Sequence, residues 1–316
     1  MAEENGQDRK IEKEPVNNEH AENEPPKKKR KEARAEKLKA QKLQKTKQIV
    51  EEQRNKRINL EKVSLKSLSK LMKNDPEISE EQKKEFSSQT KDQEKLGYQI
   101  GDKRGNLLLY ALGETAGTSF TKDLFGTIEQ FFQAQNQESK QYSYIFGTSY
   151  DKRGGSLVKT ADSIRSLAYS DFLQKCSPLF RFASGILSAH VPKFHESLLN
   201  LEVAPQQARF GAFPNFSVRL IETEDKVSFL NSDPAIKYGF TVIIVVGDVQ
   251  EAELKLPAIQ HSVRLHDGMI LVLRSSLLHQ WYSFNKPGVI YEMRLFALSS
   301  LWESEQNHSI EIQKEE

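Results

Sequence analysis

Short apolar runs that alternate with glycine-containing turns fill the second half of the sequence, and this pattern restricts the fold more than any other feature. The turns contain Gly247-Asp248, Asp267-Gly268 and Pro287-Gly288. Several short strands at this spacing predict an antiparallel sandwich or jelly roll. The strand-like runs are Phe216 to Glu222, Phe240 to Val246, Glu253 to Leu256, His261 to Leu265, Met269 to Leu273 and Ile290 to Leu298.

Helical patterns come before these strands. Between Asp123 and Ala134 the apolar residues fall on one helical stripe, and a second helix is predicted from Asp162 to Lys175. A third helix is expected to begin at Ser177, as the N-terminal cap, with Pro178 in its first turn. The four apolar residues Leu107 to Tyr110 predict a buried strand.

The order of these elements predicts an α+β fold, in which helices pack on a jelly roll. We expect one domain at residues 97–303, with the roll at about residues 205–300 and a disordered C-terminal tail at residues 304–316. A domain of roughly two hundred residues is of ordinary size.

The first third of the chain has a different composition. Residues 1–26 offer almost nothing to bury and are predicted to be disordered. A long charged helix is expected from Glu32 to about Lys73, ended by Asn74-Asp75-Pro76. Residues 1–96 are therefore predicted to be a disordered and helical basic tail.

A cluster of cations stands out in this tail. Five consecutive positive side chains follow two prolines: Lys27, Lys28, Lys29, Arg30 and Lys31. Such a run on an unfolded segment is typical of a nuclear localisation signal, which predicts a nuclear import receptor as partner. The cations that continue to Lys47 also favour nonspecific binding to nucleic acid through its phosphates. The alternative is a solvated charged helix with no partner.

Other features exclude several classes of protein. The single cysteine, Cys176, excludes an internal disulfide and a Cys-rich zinc module. Cys176 lies in no nucleophile motif, so a buried thiol is expected there. The longest apolar run, Phe240 to Val246, is too short to span a bilayer. His261 and His266 lack a third ligand at metal spacing. Arg153-Gly154-Gly155 is a single copy of an RNA-associated tripeptide, and a turn explains it as well.

A series of short motifs occurs in order between residues 216 and 297. They are Tyr238-Gly239-Phe240, Gly247-Asp248 with Glu253-Leu254, Leu256-Pro257, Asp267-Gly268 and Arg274-Ser275-Ser276-Leu277-Leu278-His279. In the order and spacing of these motifs the segment resembles the double-stranded β-helix of Fe(II)- and 2-oxoglutarate-dependent dioxygenases, in particular the fungal proteins similar to the TET/JBP nucleic-acid-base oxygenases. The resemblance does not extend to the N-terminal third.

The resemblance implies a site for Fe(II) and 2-oxoglutarate, with two histidines and one carboxylate as metal ligands. Asp233 and His279 match the carboxylate and the second histidine, and Arg294 matches the basic residue that pairs with the keto acid. Asn231 stands at the position of the first histidine. An amide oxygen is a weaker donor to Fe(II) than an imidazole nitrogen, so the motif is degenerate.

Each of these residues also has a simpler interpretation. His279 could be a half-buried histidine beside Trp281, and Asp233 could cap the turn before Pro234. Arg294 alternates with Glu292 along the last strand, where the two could form a surface ion pair of little energetic value.

Three functional hypotheses follow. The first is a nuclear protein whose degenerate oxygenase-like domain is a non-catalytic binding or scaffolding module. The second is an active dioxygenase that oxidises a nucleic-acid base, with Asp233, His279 and Arg294 at its site. The third is a cupin-like interaction domain without a metal site, since fold alone does not imply function.

Overall fold

A computed structural model shows how these patterns fold. It describes residues 27–73, 87–88, 97–113, 116–136, 143–165, 169–222, 227–229, 239–247, 249, 251–286, 288–302 and 304. The chain divides into two compact units, residues 1–46 and residues 47–316. Within the described residues, no helix is long and apolar enough to cross a membrane.

Helices occupy most of the described chain before residue 200. They are α1 Lys27–Asn55, α2 Leu65–Lys73, α3 Thr118–Thr121, α4 Leu124–Asn136, α5 Ala161–Arg165, α6 Tyr169–His190, α7 Pro192–Asn200 and, at the C-terminal end, α8 Ser299–Trp302.

The described strands form two sheets, one of nine strands and one of five. In chain order the strands are β1 Ile58–Asn59, β2 Ser87–Ser88, β3 Gly97–Gly101, β4 Leu107–Leu112, β5 Ser143–Asp151, β6 Ser156–Lys159, β7 Asn215–Glu222, β8 Val227–Phe229, β9 Thr241–Gly247, β10 Ala252–Leu256, β11 His261–Arg264, β12 Ile270–Leu273, β13 Trp281–Phe284 and β14 Val289–Phe296. The larger sheet has the order β1-β3-β4-β12-β9-β14-β7-β5-β6, and the smaller has the order β2-β11-β10-β13-β8.

The last eight strands form a jelly roll. Strands β7, β14, β9 and β12 lie side by side in the larger sheet, while β8, β13, β10 and β11 lie side by side in the smaller one. All the pairings among these eight strands are antiparallel. Successive strands therefore alternate between the two sheets until the chain turns back, which is the jelly-roll arrangement.

One face of the larger sheet is covered by helices. On β9, Val242, Ile244 and Val246 belong to the same buried cluster as Phe131 of α4 and Leu179 of α6. Side chains two residues apart on a strand share a face, and the residues between them point to the opposite face. The helices thus bury one side of the sheet and leave the other to form the interior of the roll.

The interior of the roll is lined from both sheets. Ile243, Val245 and Leu271 come from the larger sheet, and Leu254 and Tyr282 come from the smaller one. All five are fully buried. Burial of apolar surface stabilises a fold by about 25 cal/mol per Å², and this contribution is the main one that holds two such sheets together.

The compact domain begins earlier than the expected boundary at residue 97. Its unit starts at Lys47, because Ile58–Asn59 add a parallel strand beside Ile100–Gly101 and Leu68 of α2 is buried in the interior cluster of the roll. The predicted single helix from Glu32 to Lys73 is therefore two helices with a strand between them. The residues predicted to end it, Asn74-Asp75-Pro76, lie outside the described residues, so that end stays a prediction.

Two further expectations about helices are corrected. Lys27 to Lys31, expected on an unfolded segment, have helical backbone at the start of α1, since the sequence that follows consists of strong helix formers. Pro178 lies inside α6 and does not begin a helix, because the stripe of Phe172, Cys176 and Leu179 stays buried through that turn. The benefit of this burial outweighs the backbone hydrogen bond that proline cannot make.

Candidate functional site

The candidate site lies at the end of the roll where β8 ends and β13 begins. Phe229, the last residue of β8, pairs with Trp281, the first residue of β13. His279 is two residues before Trp281 and is 9% exposed. The antiparallel pairing therefore brings His279 to the end of the small sheet from which the chain leaves β8. His279 is buried and not half-buried as the simpler interpretation expected.

Arg294 faces the interior of the roll and is bound by a carboxylate of its own strand. The Glu292 Oε1 atom lies 2.5 Å from Nε of Arg294, and the second Glu292 oxygen accepts a hydrogen bond of 3.0 Å from Nη2. Both side chains are buried, with 2% of Glu292 and 8% of Arg294 exposed. The expected ion pair thus exists, but it is internal and does not lie on the surface.

Three neighbouring side chains complete this cluster. The hydroxyl of Tyr282, on the opposite sheet, donates a hydrogen bond to Glu292 Oε2. Arg219, which pairs with Glu292 across β7 and β14, places Nη2 at 3.3 Å from Glu292 Oε1. The Nη2 atom of Arg294 also donates to Oε1 of Gln280 at 3.0 Å. We call Glu292, Arg294, Arg219, Tyr282 and Gln280 the carboxylate cluster.

The cluster fixes the protonation of Glu292. Burial alone would raise the pKa of this carboxyl, but the positive charges of Arg294 and Arg219, with hydrogen bonds from Arg294 and Tyr282, outweigh burial and lower the pKa to about 2. Burial and the adjacent Glu292 carboxylate both raise the pKa of the Tyr282 hydroxyl. At neutral pH the cluster therefore contains an ionised glutamate that accepts a hydrogen bond from a neutral tyrosine.

This geometry bears directly on whether Arg294 could hold a keto acid. Glu292 and Gln280 already engage Nε and Nη2 of this guanidinium, so a remote carboxylate bound at these atoms would have to displace or share those contacts. Glu292 lies on the same strand as Arg294, two residues away, so its carboxylate stays next to the arginine in the folded chain. The residues around Arg294 fit an internal carboxylate and do not fit a second one in the same position.

The predicted metal ligands lie only partly within the described residues. Asn231 and Asp233 lie outside the described residues, so their predicted roles stay predictions. Within the part of the chain that the structure describes, no three His, Cys, Asp or Glu side chains are grouped so that they could hold a metal ion. Of the predicted ligands, His279 alone lies in that part, and it is next in sequence to Gln280 of the carboxylate cluster.

Sequence reasoning found Arg294 and noticed Glu292, but it missed the other three members of the cluster. Tyr282 and Gln280 carry no motif, because each owes its role to a contact between two sheets. A signal was present in β7, where the charged Arg219 stands between Val218 and Leu220 in a strand that the apolar pattern predicts to be buried. A charge in such a strand indicates an internal partner.

The motif that carries Arg274 has a structural role in the fold. The Nε atom of Arg274 donates a 2.8 Å hydrogen bond to the carbonyl oxygen of Leu107, and its guanidinium lies 4.1 Å from the ring centre of Phe240. These contacts tie the segment before His279 to β4 and to the start of β9. Arg274 therefore positions the chain that leads to His279.

The remaining candidate residues have ordinary surroundings. Cys176 is fully buried, as expected, and burial raises the pKa of its thiol. His261 contacts the hydroxyl of Tyr98 through Nε2 at 2.8 Å. Arg153 and the two glycines after it lie between β5 and β6, where Gly155 has a φ of 62°. This is the turn that the sequence predicted.

Comparison with curated proteins gives one relative of high similarity. The chain is 51% identical over 294 residues to a protein named calnexin-independence factor 1 from Schizosaccharomyces pombe (strain 972 / ATCC 24843), with 92% of each chain covered. No protein-family model matches the sequence.

Comparison with solved structures identifies the fold. NgTET1, solved in complex with 5mC DNA, matches 75% of this chain and 92% of its own length with a TM-score of 0.52 and 16% sequence identity. The chain therefore has the fold of the Fe(II)- and 2-oxoglutarate-dependent oxygenases, as the motifs predicted. At this identity the likeness concerns the fold alone.

Proposed function

The chain belongs to the family of Schizosaccharomyces pombe calnexin-independence factor 1, and on that premise we propose that it is a nuclear protein whose oxygenase-like domain is a non-catalytic binding or scaffolding module. The observation that carries this proposal is the pairing of Arg294 with Glu292 inside the roll. An oxygenase of this fold uses a basic residue at that place to bind its keto acid, and here a carboxylate of the chain itself occupies it.

The sequence of the metal motif supports the same proposal. When bound, Fe(II) with 2-oxoglutarate would supply the oxidising chemistry of the fold, and it would need three good protein ligands. Asn231 offers a neutral amide oxygen where an imidazole is expected. Two of the requirements for catalysis, a full ligand set and an available arginine, are thus weakened at independent positions.

Iron content and keto-acid turnover of the purified full-length protein test this proposal. We expect no stoichiometric Fe(II) after anaerobic loading and no succinate production that depends on 2-oxoglutarate, beside an active dioxygenase as positive control. Stoichiometric iron together with such succinate production would overturn the proposal and support the active dioxygenase instead.

One variant tests the availability of Arg294 separately from the incomplete set of metal ligands. Replacing Asn231 by histidine (Asn231→His) restores the residue types of the ligand motif but leaves Glu292 at Arg294. We expect this variant still to show no rise in thermal unfolding temperature when 2-oxoglutarate is added, since a ligand stabilises only the state that binds it. A clear rise in the unmodified protein or in Asn231→His would show that Arg294 is available to the keto acid.

Nuclear location is proposed from the basic residues at the start of α1. Changing Lys28, Lys29 and Arg30 to glutamine removes three charges from the five-residue run, and changing Lys37, Lys39 and Lys42 to glutamine removes three charges from the exposed helix beyond it. We expect only the first set to abolish nuclear accumulation of a fluorescent fusion. Nuclear accumulation of both variants equal to that of the unmodified fusion would remove the argument for a localisation signal.

The relative's name links it to independence from calnexin, and we propose that this chain acts in the same process. Its expression in Schizosaccharomyces pombe cells that lack the relative tests whether it can substitute for that protein. We expect substitution by the unmodified chain and also by a chain with Asp233→Ala, since the proposed role requires no metal ligand. Failure of the unmodified chain would contradict the shared process, and failure of Asp233→Ala alone would favour the active dioxygenase.

A further inference from the structure

One face of α1 is cationic, and the opposite face carries the acidic residues. Every residue from Lys31 to Thr46 is exposed. With about 100° of rotation per residue in an α-helix, four cations fall within an arc of about 80°. These four, which we call the basic face, are Lys31, Arg34, Lys42 and Lys45.

The acids of this segment are placed away from the basic face. Glu32 and Glu36 project about 120° and 160° from its centre at the same rotation per residue. Residues 31–46 hold six cations and these two acids, which gives a net charge of +4 (6 − 2). The separation of signs concentrates the positive potential on one side of the helix.

The basic face is long enough to contact several phosphates of a duplex. From Lys31 to Lys45 the helix rises about 21 Å at 1.5 Å per residue. Double-stranded DNA carries about one negative charge per 1.7 Å of its axis, so a face of this length meets many phosphates. Lysine and arginine release counterions when they neutralise those phosphates, which is the main source of sequence-independent affinity.

We propose that the basic face of α1 binds the phosphate backbone of a nucleic-acid duplex without sequence preference. No aromatic side chain lies between Lys27 and Asn55, so stacking on unpaired bases has no residue to carry it. Leu38 is the one leucine within the arc, whereas Leu43 projects from the other side. A membrane-binding helix would need an apolar face, and these two leucines do not form one.

The proposal is independent of whether the oxygenase-like domain is catalytic, because it rests on another part of the chain. Its test uses the full-length protein and a fluorescently labelled DNA duplex, with the dissociation constant measured by anisotropy over a series of salt concentrations. Four phosphate contacts predict that log K falls with log salt at a slope of about −3.6, from about 0.9 per contact.

Two matched variants each remove two charges from the same helix. The first, Lys42→Gln with Lys45→Gln, removes half of the basic face. We expect a slope of about −1.8 and an affinity loss of about 60-fold at about 0.1 M salt. The second, Lys37→Gln with Lys39→Gln, removes exposed charges that flank the face, and we expect a loss of less than about fivefold with the slope unchanged.

Circular dichroism is the control for helix content, and we expect both variants to match the unmodified protein, since glutamine is about as good a helix former as lysine. Equal losses in the two variants would overturn the assignment to one face, because net charge alone would then explain binding. Absence of duplex binding at low salt would overturn the proposal outright. Binding to poly-glutamate as tight as binding to the duplex would assign the face to acidic proteins and not to nucleic acid.

Discussion

Glu292 and Arg294 point into the roll from the same strand, and Oε1 of the glutamate lies 2.5 Å from Nε of the arginine. Removing two opposite charges from water costs several kcal/mol per ion, and only close contacts with further hydrogen bonds offset that cost. Tyr282 and Arg219 supply the further contacts to the carboxylate, and Gln280 supplies one to the guanidinium. The pair is therefore stable only as part of the whole cluster.

The first prediction concerns the loss of the carboxylate. Glu292→Ala leaves the buried Arg294 and the half-buried Arg219 without their counter-charge, so we expect a loss of about 3–5 kcal/mol in the free energy of unfolding. The atoms removed correspond to those of an acetate ion. Sodium acetate should therefore restore part of the lost stability in urea unfolding, whereas sodium chloride at the same ionic strength should restore less.

A matched control is the exposed ion pair of Glu251 with Lys286, whose atoms lie 2.6 Å apart with 46% and 53% of their side chains exposed. Glu251→Ala should cost no more than about 1 kcal/mol, because water screens this pair. A similar small cost for Glu292→Ala, or a large cost with no effect of acetate, would contradict the picture of an internal carboxylate held by two arginines.

The second prediction concerns Arg274. Arg274→Lys keeps the positive charge but loses the planar group that lies over Phe240 and the Nε donor that reaches the Leu107 carbonyl. Lysine does not replace a stacked, buried guanidinium, and we expect a loss of about 2–4 kcal/mol in the free energy of unfolding. Arg181→Lys is the control, since Arg181 is on the exposed side of α6 and bonds only to Ser177 among its described contacts. Equal effects of the two substitutions would show that Arg274 does not position this segment.

The third prediction concerns the thiol of Cys176. The side chain is fully buried in α6, and burial raises the pKa of the thiol, so little thiolate forms near neutral pH. We expect no reaction with a thiol reagent in the folded protein and one thiol per chain in urea. Rapid reaction of the folded protein, followed by absorbance, would show that the helical layer opens readily.

Much of the roll could be predicted from its sequence, because buried apolar and half-buried charged residues alternate along strands such as β10 and the turns contain glycine. Strand β7 begins one residue before its predicted run and ends where predicted, and β9 is shifted by one residue at both ends. Strand β13 was missed: Trp281 and Tyr282 are flanked by polar residues, and the strand is defined by its pairing with β10.

The site was less predictable than the fold. Arg294 could be identified from its spacing after His279, but no local pattern shows that Gln280 would bond to it across the roll. The same limit applies to the N-terminal boundary. The sequence around Ile58 looks like a charged helix, and only the presence of an open sheet edge at β3 makes it a strand. Contacts that are distant in sequence decided both outcomes.

A buried network around His190 leads to the fourth prediction. The amide Nε2 of Gln99 lies 3.1 Å from Nδ1 of His190, and Oε1 of the same amide accepts hydrogen bonds of 3.0 and 2.8 Å from Arg57. Arg54 donates to the backbone carbonyl of His190 at 3.1 Å, and the ring of Tyr110 lies 4.4 Å from the imidazole. Because the Gln99 amide is oriented by Arg57, it presents a donor to Nδ1, which must then accept and carry no proton.

Acid should therefore destabilise the fold through His190. Burial, and then the charges of Arg54 and Arg57, lower the pKa of this histidine from 6.5 to about 4. Between these pH values the unfolded chain binds a proton that the folded chain does not. The contribution of His190 to the free energy of unfolding is therefore fully present above about pH 6.5 and is lost as the pH drops to 4, by at most about 3 kcal/mol.

His190→Asn keeps an acceptor but cannot titrate, and we expect urea unfolding between pH 7 and pH 4 to show a weaker pH dependence for this variant. His261, whose pKa burial also lowers to about 4, should account for a remaining part. An unchanged pH dependence in His190→Asn would rule out this histidine as the acid-sensitive group.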